Sequence, residues 1–259
     1  MSLLVERPSQ GVVLLTLNLP DRRNAMTDEL TEAWGAAVDE LRGDRSVRCV
    51  VVTGAGTAFS AGGDLGWLQA EGASVDALRD KMLPFYRIWL SLRDLPVPTI
   101  AAVNGPAVGA GACLALACDL RYAVDTAKFA VPFTKLGMHP GMAATWLLPE
   151  VVGIANAREL LYTNRAVSGA EAVALGVYNR VFPAGDFSGE IARIASDIAG
   201  TAPIAVKLTK QALVGAGHES FEAALRWEAL AQPITMATED LQEGLAAQRE
   251  KRAARFTGR

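Results

Sequence analysis

The sequence feature that most constrains the fold is a run of 24 residues, 95–118, that carries no formal charge. A run of this length is long enough to cross a membrane as a helix. Prolines near its start and the triplet Asn104-Gly105-Pro106 in its middle interrupt it, and a lipid-exposed helix tolerates few such breaks. The β-branched and apolar residues 99–103 therefore predict a buried strand, followed by a turn and a buried helix that starts near Gly109.

The start of that helix is a candidate anion site. A helix that begins against a pocket presents unpaired backbone N–H groups and the positive end of its dipole. A second glycine-rich turn, Gly62-Gly63, follows another apolar strand at residues 48–54. Two convergent N–H groups could polarise a carbonyl and stabilise an enolate or tetrahedral anion. Alternatively, the glycines only permit tight turns and close packing, and spacing alone favours this structural role.

Composition narrows the class of protein. A chain of 259 residues with 51% hydrophobic content can bury a large core, as one domain or as a domain with an appendage. The net charge of −3 gives no reason to expect a nucleic-acid partner. Three cysteines without CxxC spacing fit a reducing compartment, and the two histidines lie too far apart in sequence to suggest a metal site. Because the N-terminus lacks a basic region followed by an apolar one, we predict a soluble cytoplasmic protein without membrane contacts.

The remaining pattern alternates between strands and helices. Residues 11–18 predict a strand with a possible hairpin partner at 3–6, and Thr27 can cap a helix that follows. Residues 74–92 predict a helix that Pro84 should kink or divide. Further strands are expected at 120–124, 128–131 and 177–182, and further helices at 143–151, 168–176, 202–214, 221–230 and 239–252. We therefore predict an α/β fold with a core domain at 1–199 and a helical C-terminal region at 200–259.

Several short motifs occur in a fixed order along nearly the whole chain. They are Leu17-Asn18-Leu19-Pro20 with Asn24-Ala25-Met26, Val52-Thr53-Gly54 with Phe59-Ser60-Ala61-Gly62-Gly63-Asp64, Ile100-Ala101-Ala102-Val103-Asn104-Gly105 with Ala117-Cys118-Asp119, Thr201-Ala202-Pro203 with Thr209-Lys210, and Glu239-Asp240-Leu241-Gln242-Glu243-Gly244 with Glu250-Lys251-Arg252. Each motif is weak alone. Together and in this order they resemble the crotonase superfamily, the enoyl-CoA hydratase/isomerase family, and this resemblance favours a functional role for the glycine turns.

The resemblance implies a fold, an assembly and a ligand. The fold is a spiral of ββα units whose C-terminal helices form a homotrimer or a hexamer made of two trimers. The ligand is an acyl-CoA thioester, whose carbonyl oxygen would accept hydrogen bonds from the backbone N–H groups of Gly63 and Ala110. The family has glycine at the second position, but alanine keeps the N–H. Coenzyme A enters only as part of the substrate, so no separate cofactor and no metal is expected.

The resemblance also implies contacts to the substrate. Arg22 and Arg23 lie where the first loop of the family approaches the nucleotide, and a guanidinium suits phosphate. Lys251 belongs to a basic tail that can reach the ligand of a neighbouring subunit. The alternatives are solvated arginines in a turn and favourable charge at a helix C-terminus. The other expected contacts are Ala25, Ala61, Asp64, Leu65 and Phe133.

The chain departs from the family at its acids. Family hydratases place two glutamates around the substrate, and alignment of the motifs puts Cys113 and Phe133 at these positions. A third acidic position of some members falls on Gly141. Since general acid–base catalysis contributes about 10²–10⁴-fold, ordinary hydration is predicted to be weak or absent.

Other protic groups offer substitutes, and three functions stay open. His139 lies in the loop that carries acids in relatives, although a loop histidine bonded to backbone is the simpler interpretation. Cys113 is a second candidate, although buried helical cysteines usually serve packing. The chain is then an enzyme that stabilises an enolate, a noncatalytic acyl-CoA-binding protein, or a structural partner of active relatives. Four aromatic residues are predicted to line the core or the acyl pocket: Trp67, Trp89, Phe133 and Trp146.

Overall fold

The computed structural model describes residues 1–64, 66, 74–215 and 219–259. Its strands are β1 (Leu3–Ser9), β2 (Val12–Leu17), β3 (Cys49–Gly54), β4 (Thr99–Val103), β5 (Ala107–Val108), β6 (Leu120–Val124), β7 (Lys128–Ala130), β8 (Val167–Ser168) and β9 (Arg180–Phe182). Its α-helices are α1 (Asp28–Gly43), α2 (Val75–Leu90), α3 (Ala110–Ala117), α4 (Ala144–Thr163), α5 (Gly169–Ala174), α6 (Ala184–Ala199), α7 (Pro203–Val214), α8 (Phe221–Met236) and α9 (Glu239–Glu250). Strands and helices alternate up to α6, and helices alone follow.

The larger sheet has six strands in the order β1-β2-β3-β4-β6-β9. The β1 and β2 strands form the predicted antiparallel hairpin, and the other pairs in this sheet are parallel. Parallel strands covered on both faces are apolar along their whole length. All five residues of β4 are buried accordingly. The second sheet joins β5, β7 and β8.

Helices α1 and α2 pack through their aromatic residues. The Thr27 side chain accepts a hydrogen bond from Leu30 N, so the predicted cap of α1 is confirmed. The indole rings of Trp34 and Trp89 stack with centroids 4.9 Å apart, and Trp89 Nε1 donates to Thr31 Oγ1 at 3.0 Å. These buried contacts hold α2 against the core and fix the orientation of its other face.

The uncharged run forms the predicted strand, turn and helix as β4, a turn and α3. In the described part of the chain, no helix is both long and apolar enough to cross a membrane. Other boundaries differ from the prediction. Helix α2 continues through Pro84, so of the two expected outcomes, a kink or a division, the division does not occur. Helix α4 extends to Thr163 past a break at Gly153, where φ is 74°. The two-residue strands β5 and β8 were not predicted, because so short a segment shows no periodicity.

The C-terminal helices α7 to α9 bury few of their own residues. Helix α8 has no buried residue, and its apolar side chains, such as Phe221 and Leu230, are exposed. The buried Lys210 ties α7 to the sheet, since its Nζ donates to Asp119 Oδ2 at 2.7 Å and to Val97 O at 2.9 Å. Asp119 also accepts from Thr99, so its role is structural. The boundary near residue 199 between the core domain and the helical C-terminal region stays a prediction.

Candidate active site

A cavity of about 290 Å³ opens where the chain leaves β3 and enters α3. Two kinds of structure line it. One side, called the backbone wall below, is formed by the two glycine turns Gly62-Gly63 and Gly109-Ala110. The opposite side, called the side-chain wall, comes from one face of α2 and from the loop before α4. It consists of Met82, Phe85, Tyr86, Pro132, Phe133, Leu136, Met138, His139, Gly141 and Met142.

Parallel pairing aligns the two turns of the backbone wall. Ser60 forms a parallel bridge with Ala107, and Val108 N donates to Ser60 O at 3.0 Å. Gly63 follows Ser60 by three residues, as Ala110 follows Ala107. The two N–H groups predicted to bind a carbonyl therefore occupy equivalent positions along paired segments. Both residues line the cavity, and Ala110 is the first residue of α3.

Glycine is required in these turns. Gly62 has φ of 96°, and a Cβ there would lie 2.8 Å from Val108 O and 3.1 Å from Ala110 N. Gly109 has φ of 57°. Both conformations are costly for other residues, and a side chain at Gly62 would also push against the N–H group that faces the cavity. Ala110 takes the helical conformation of α3, so its methyl group is accommodated without positive φ.

The N–H groups of Gly63 and Ala110 donate no hydrogen bond to any residue in the described part of the chain. Hydrogen bonds hold the surrounding backbone in place. The buried Ser60 Oγ accepts from Gly62 N at 3.1 Å and donates to Asn24 O at 2.9 Å. Asn24 Nδ2 in turn donates to Ala58 O at 2.8 Å. These bonds hold the turn in place and leave two donors for a ligand oxygen.

His139 and Tyr86 are the titratable side chains of the side-chain wall among the residues described. His139 is exposed, and its Nδ1 lies 2.8 Å from Pro140 O. Since a carbonyl only accepts, Nδ1 carries the proton in the neutral ring, and Nε2 keeps a lone pair. Burial raises the pKa of the half-buried Tyr86, and the neighbouring Cys113 raises it further. The Phe133 ring also lines the cavity and lies beside Gly109.

Cys113 lies behind the cavity. Its thiol is fully buried, does not line the cavity and lies 3.7 Å from Gly141 O, to which it donates. Burial raises the pKa of Cys113 to about 12. The thiol therefore stays protonated at neutral pH, which favours a packing role over a nucleophilic one. No aspartate or glutamate lines the cavity within the described ranges, and those ranges contain no metal-binding cluster.

The remaining predicted contacts do not all line the cavity. Ala61 lines the cavity, whereas Ala25 and Lys251 do not. Arg22 pairs with Asp64 at 2.8 Å; the Gly66 N–H lowers the pKa of Asp64 most, and Arg22 lowers it as well. Arg23 is exposed beside this pair in a left-handed turn.

Two predicted positions, Leu65 and Trp67, lie outside the described residues. Trp146 was predicted to line the core or pocket, and this is wrong because 64% of it is exposed on α4. Trp89 belongs to the core as predicted.

The sequence interpretation missed the contribution of α2. Met82, Phe85 and Tyr86 share one helical face with Trp89, and that spacing was a detectable signal. This spacing indicates that one face of α2 is packed against the rest of the protein. Which of these residues meets the core and which meets a cavity depends on tertiary contacts.

The fold places the chain among crotonase-type α/β proteins. The crystal structure of an enoyl-CoA hydratase from Bacillus anthracis superposes with a TM-score of 0.92 at 32% identity, and 100% of each chain is covered. This similarity confirms the predicted fold class with its helical C-terminal region.

Sequence comparisons give the family. The family model for enoyl-CoA hydratase/isomerase matches residues 7–259. A Thermus thermophilus protein named as an enoyl-CoA hydratase is 39% identical over 255 residues, covering 98% of this chain and 100% of that protein. The mitochondrial enoyl-CoA hydratase domain-containing protein 2 of Bos taurus is 37% identical over 261 residues, which cover 97% of this chain and 86% of that protein. The chain therefore belongs to the enoyl-CoA hydratase/isomerase family, as the motifs predicted.

Proposed function

We propose that the chain is an enzyme that binds an acyl-CoA thioester and stabilises its enolate at the backbone wall. The thioester oxygen accepts hydrogen bonds from the N–H groups of Gly63 and Ala110. The observation that carries this proposal is that two unpartnered donors occupy equivalent positions along paired segments that line the cavity. Coenzyme A is part of the substrate, and no further cofactor is needed.

The chemical contribution of the backbone wall is electrostatic. When an enolate forms, negative charge moves from carbon to the thioester oxygen, and fixed donors bind that oxygen more strongly than the neutral carbonyl. The dipole of α3 has its positive end at Ala110 and acts in the same direction. Donors already held by Ser60 and Asn24 need little reorganisation when the charge develops.

Ordinary hydration is proposed to be slow. Addition of water to an enoyl thioester requires a base to take a proton from water and an acid to deliver one to carbon. The described lining provides no carboxylate, and Cys113 and Phe133 occupy the two positions inferred from the motifs. His139, through Nε2, is the candidate base that remains, and bound water can assist it.

Turnover of crotonyl-CoA and deuterium uptake by butyryl-CoA in D₂O test this proposal together. We expect enolate formation, seen as exchange at Cα, with hydration at least about a hundredfold below that of a relative with both glutamates. Replacement of His139 by Ala should abolish the exchange without loss of butyryl-CoA binding. Hydration at the rate of the relative would contradict the proposed weakness.

A noncatalytic role is the second candidate, because the described lining lacks a carboxylate. In that case butyryl-CoA raises the melting temperature by mass action but shows no exchange and no product. Absence of any thermal response to CoA esters would favour the role of a structural partner of active relatives.

The proposed assembly is a homotrimer, or a hexamer of two trimers. Its support is the apolar surface of the C-terminal helices, where Leu213, Leu230 and Met236 are exposed. Sedimentation should give a trimer or hexamer, and Leu230→Asp should shift it toward the monomer. In such an assembly, Lys251 could meet the ligand of a neighbouring copy. Placement in the cytoplasm stays a prediction.

A further inference from the structure

The phenol of Tyr86 is, with His139, one of two titratable side chains in a side-chain wall whose other described members are apolar or glycine. It lies on α2 beside Met82 and Phe85, and it faces the cavity that the backbone wall borders. Its hydroxyl has no hydrogen-bond partner in the described part of the chain. The half-buried hydroxyl borders the cavity and has its donor free, so a ligand in the cavity that supplies an acceptor can bind it.

The local structure holds the hydroxyl in one place. Trp89, one turn further along α2, stacks on Trp34 and donates to Thr31, which fixes the rotation of the helix about its axis. The ring of Phe85 packs edge-on against that of Tyr86, with centroids 6.1 Å apart. The phenol is therefore a positioned group rather than a side chain that moves freely in solvent.

Gly141 provides the space for this hydroxyl. A Cβ at Gly141 would collide with Tyr86 Oη and would lie 3.0 Å from its Cζ. The carbonyl of Gly141 is bonded to the Cys113 thiol, and the next two residues, Met142 and Ala143, both have positive φ. The loop is thus bonded to α3, and the missing side chain at Gly141 leaves this volume to the phenol.

The Tyr86 hydroxyl is connected to the backbone wall through α3 and Gly141. Cys113 follows Ala110 by about one turn of α3, which corresponds to a rise of roughly 5 Å. Gly141 contacts Cys113, and Tyr86 Oη contacts Gly141. A thioester whose oxygen lies at Ala110 N therefore shares the cavity with the phenol.

We propose that Tyr86 is a specificity-determining residue whose hydroxyl donates a hydrogen bond to a hydroxyl or keto oxygen on the acyl chain. The inference rests on the proposed function, because the thioester must lie at the backbone wall. It assigns the cavity to oxygenated short-chain acyl groups in preference to plain hydrocarbon ones. Burial raises the pKa of Tyr86, which keeps the phenol protonated and able to donate over the neutral range.

The test is a binding cycle with two ligands and two proteins. Calorimetry compares 3-hydroxybutyryl-CoA with butyryl-CoA, first for the wild-type protein and then for Tyr86→Phe. We expect the wild type to prefer the hydroxylated ligand about threefold to tenfold, as one neutral hydrogen bond would give. Tyr86→Phe should lose this preference and keep its affinity for butyryl-CoA. Tyr162→Phe, at a surface position on α4, is the matched control and should keep the preference.

The outcomes separate the inference from the function on which it rests. If the wild type binds butyryl-CoA but shows no preference, or if Tyr86→Phe retains the preference, the role of Tyr86 is wrong and the proposed function stands. If neither ligand binds the wild type, the proposed function fails first. Equal weakening of both ligands by Tyr86→Phe would indicate a structural role and would also overturn the inference.

Discussion

The two walls of the cavity are built from different parts of the polypeptide. The backbone wall uses N–H groups, and its side chains are small because Gly62 and Gly109 have positive φ. The side-chain wall uses Tyr86, His139 and Phe133, whose character depends on residue type. Most substitutions leave a backbone N–H group in place, whereas a single substitution removes a side-chain acid. The proposed function rests on this difference: the backbone donors are retained in the proposal, and the proton-transfer groups are proposed to differ from those of the family hydratases.

The largest expected effect comes from the backbone wall. Gly62→Ala would place a methyl group 3.1 Å from Ala110 N and force an alanine to φ of 96°. We expect displacement of one donor and a loss of about a hundredfold in kcat/KM for exchange at Cα of butyryl-CoA. The measurement is proton exchange followed by NMR.

Gly153→Ala is the matched control for Gly62→Ala. Gly153 also has positive φ, at 74°, but a Cβ there meets nothing within 4 Å. Gly153→Ala should lower the melting temperature by a few degrees and leave proton exchange at Cα of butyryl-CoA unchanged. Equal losses of exchange in both variants would mean that backbone strain, rather than the position of Ala110 N, accounts for the effect.

A second prediction concerns Cys113, behind the side-chain wall. Burial raises its pKa from 9.0 to about 12, so folding favours the protonated thiol. Below pH 9 this stabilisation is complete, and it is lost as pH rises toward 12, because the unfolded thiol ionises first. The expected slope is about 1.4 kcal/mol per pH unit for one such group.

Denaturant unfolding at pH 8 and pH 10.5 measures this slope. Burial also raises the pKa values of Cys49, Cys118, Tyr86 and Tyr178, so Cys113→Ala should remove one of several contributions to the slope. Rapid alkylation of Cys113 at pH 8 in the folded protein would contradict the inert role given to it and reopen its candidacy as a nucleophile.

The smallest expected effect lies outside both walls. Arg22 is already paired with Asp64, which leaves Arg23 as the better candidate for a phosphate of coenzyme A. Arg23→Gln should raise KM for an acyl-CoA about threefold and leave kcat unchanged, as loss of one exposed charge contact would. The same variant with an acyl-pantetheine, which lacks the nucleotide, should behave like the wild type. A raised KM with both substrates would exclude the phosphate contact.

The comparison of the walls also shows what the sequence could predict. The backbone wall was predictable, because strand, turn and helix follow from the β-branched run at 99–103 and the glycines after it. The apolar pattern of α2 identified a packed face but could not assign Trp89 to the core and Tyr86 to the cavity. The exposure of Trp146 follows from its position on the outer side of α4, which no local pattern specifies.

The central claim is that the backbone wall polarises a thioester carbonyl. Isotope-edited infrared spectroscopy of butyryl-CoA labelled with ¹³C at the carbonyl measures this directly. The stretching frequency should fall on binding to the wild-type protein, relative to water, and should return toward the solution value with Gly62→Ala. Tight binding without any fall in frequency would show that the N–H groups of Gly63 and Ala110 do not bind the carbonyl oxygen, and would contradict the account.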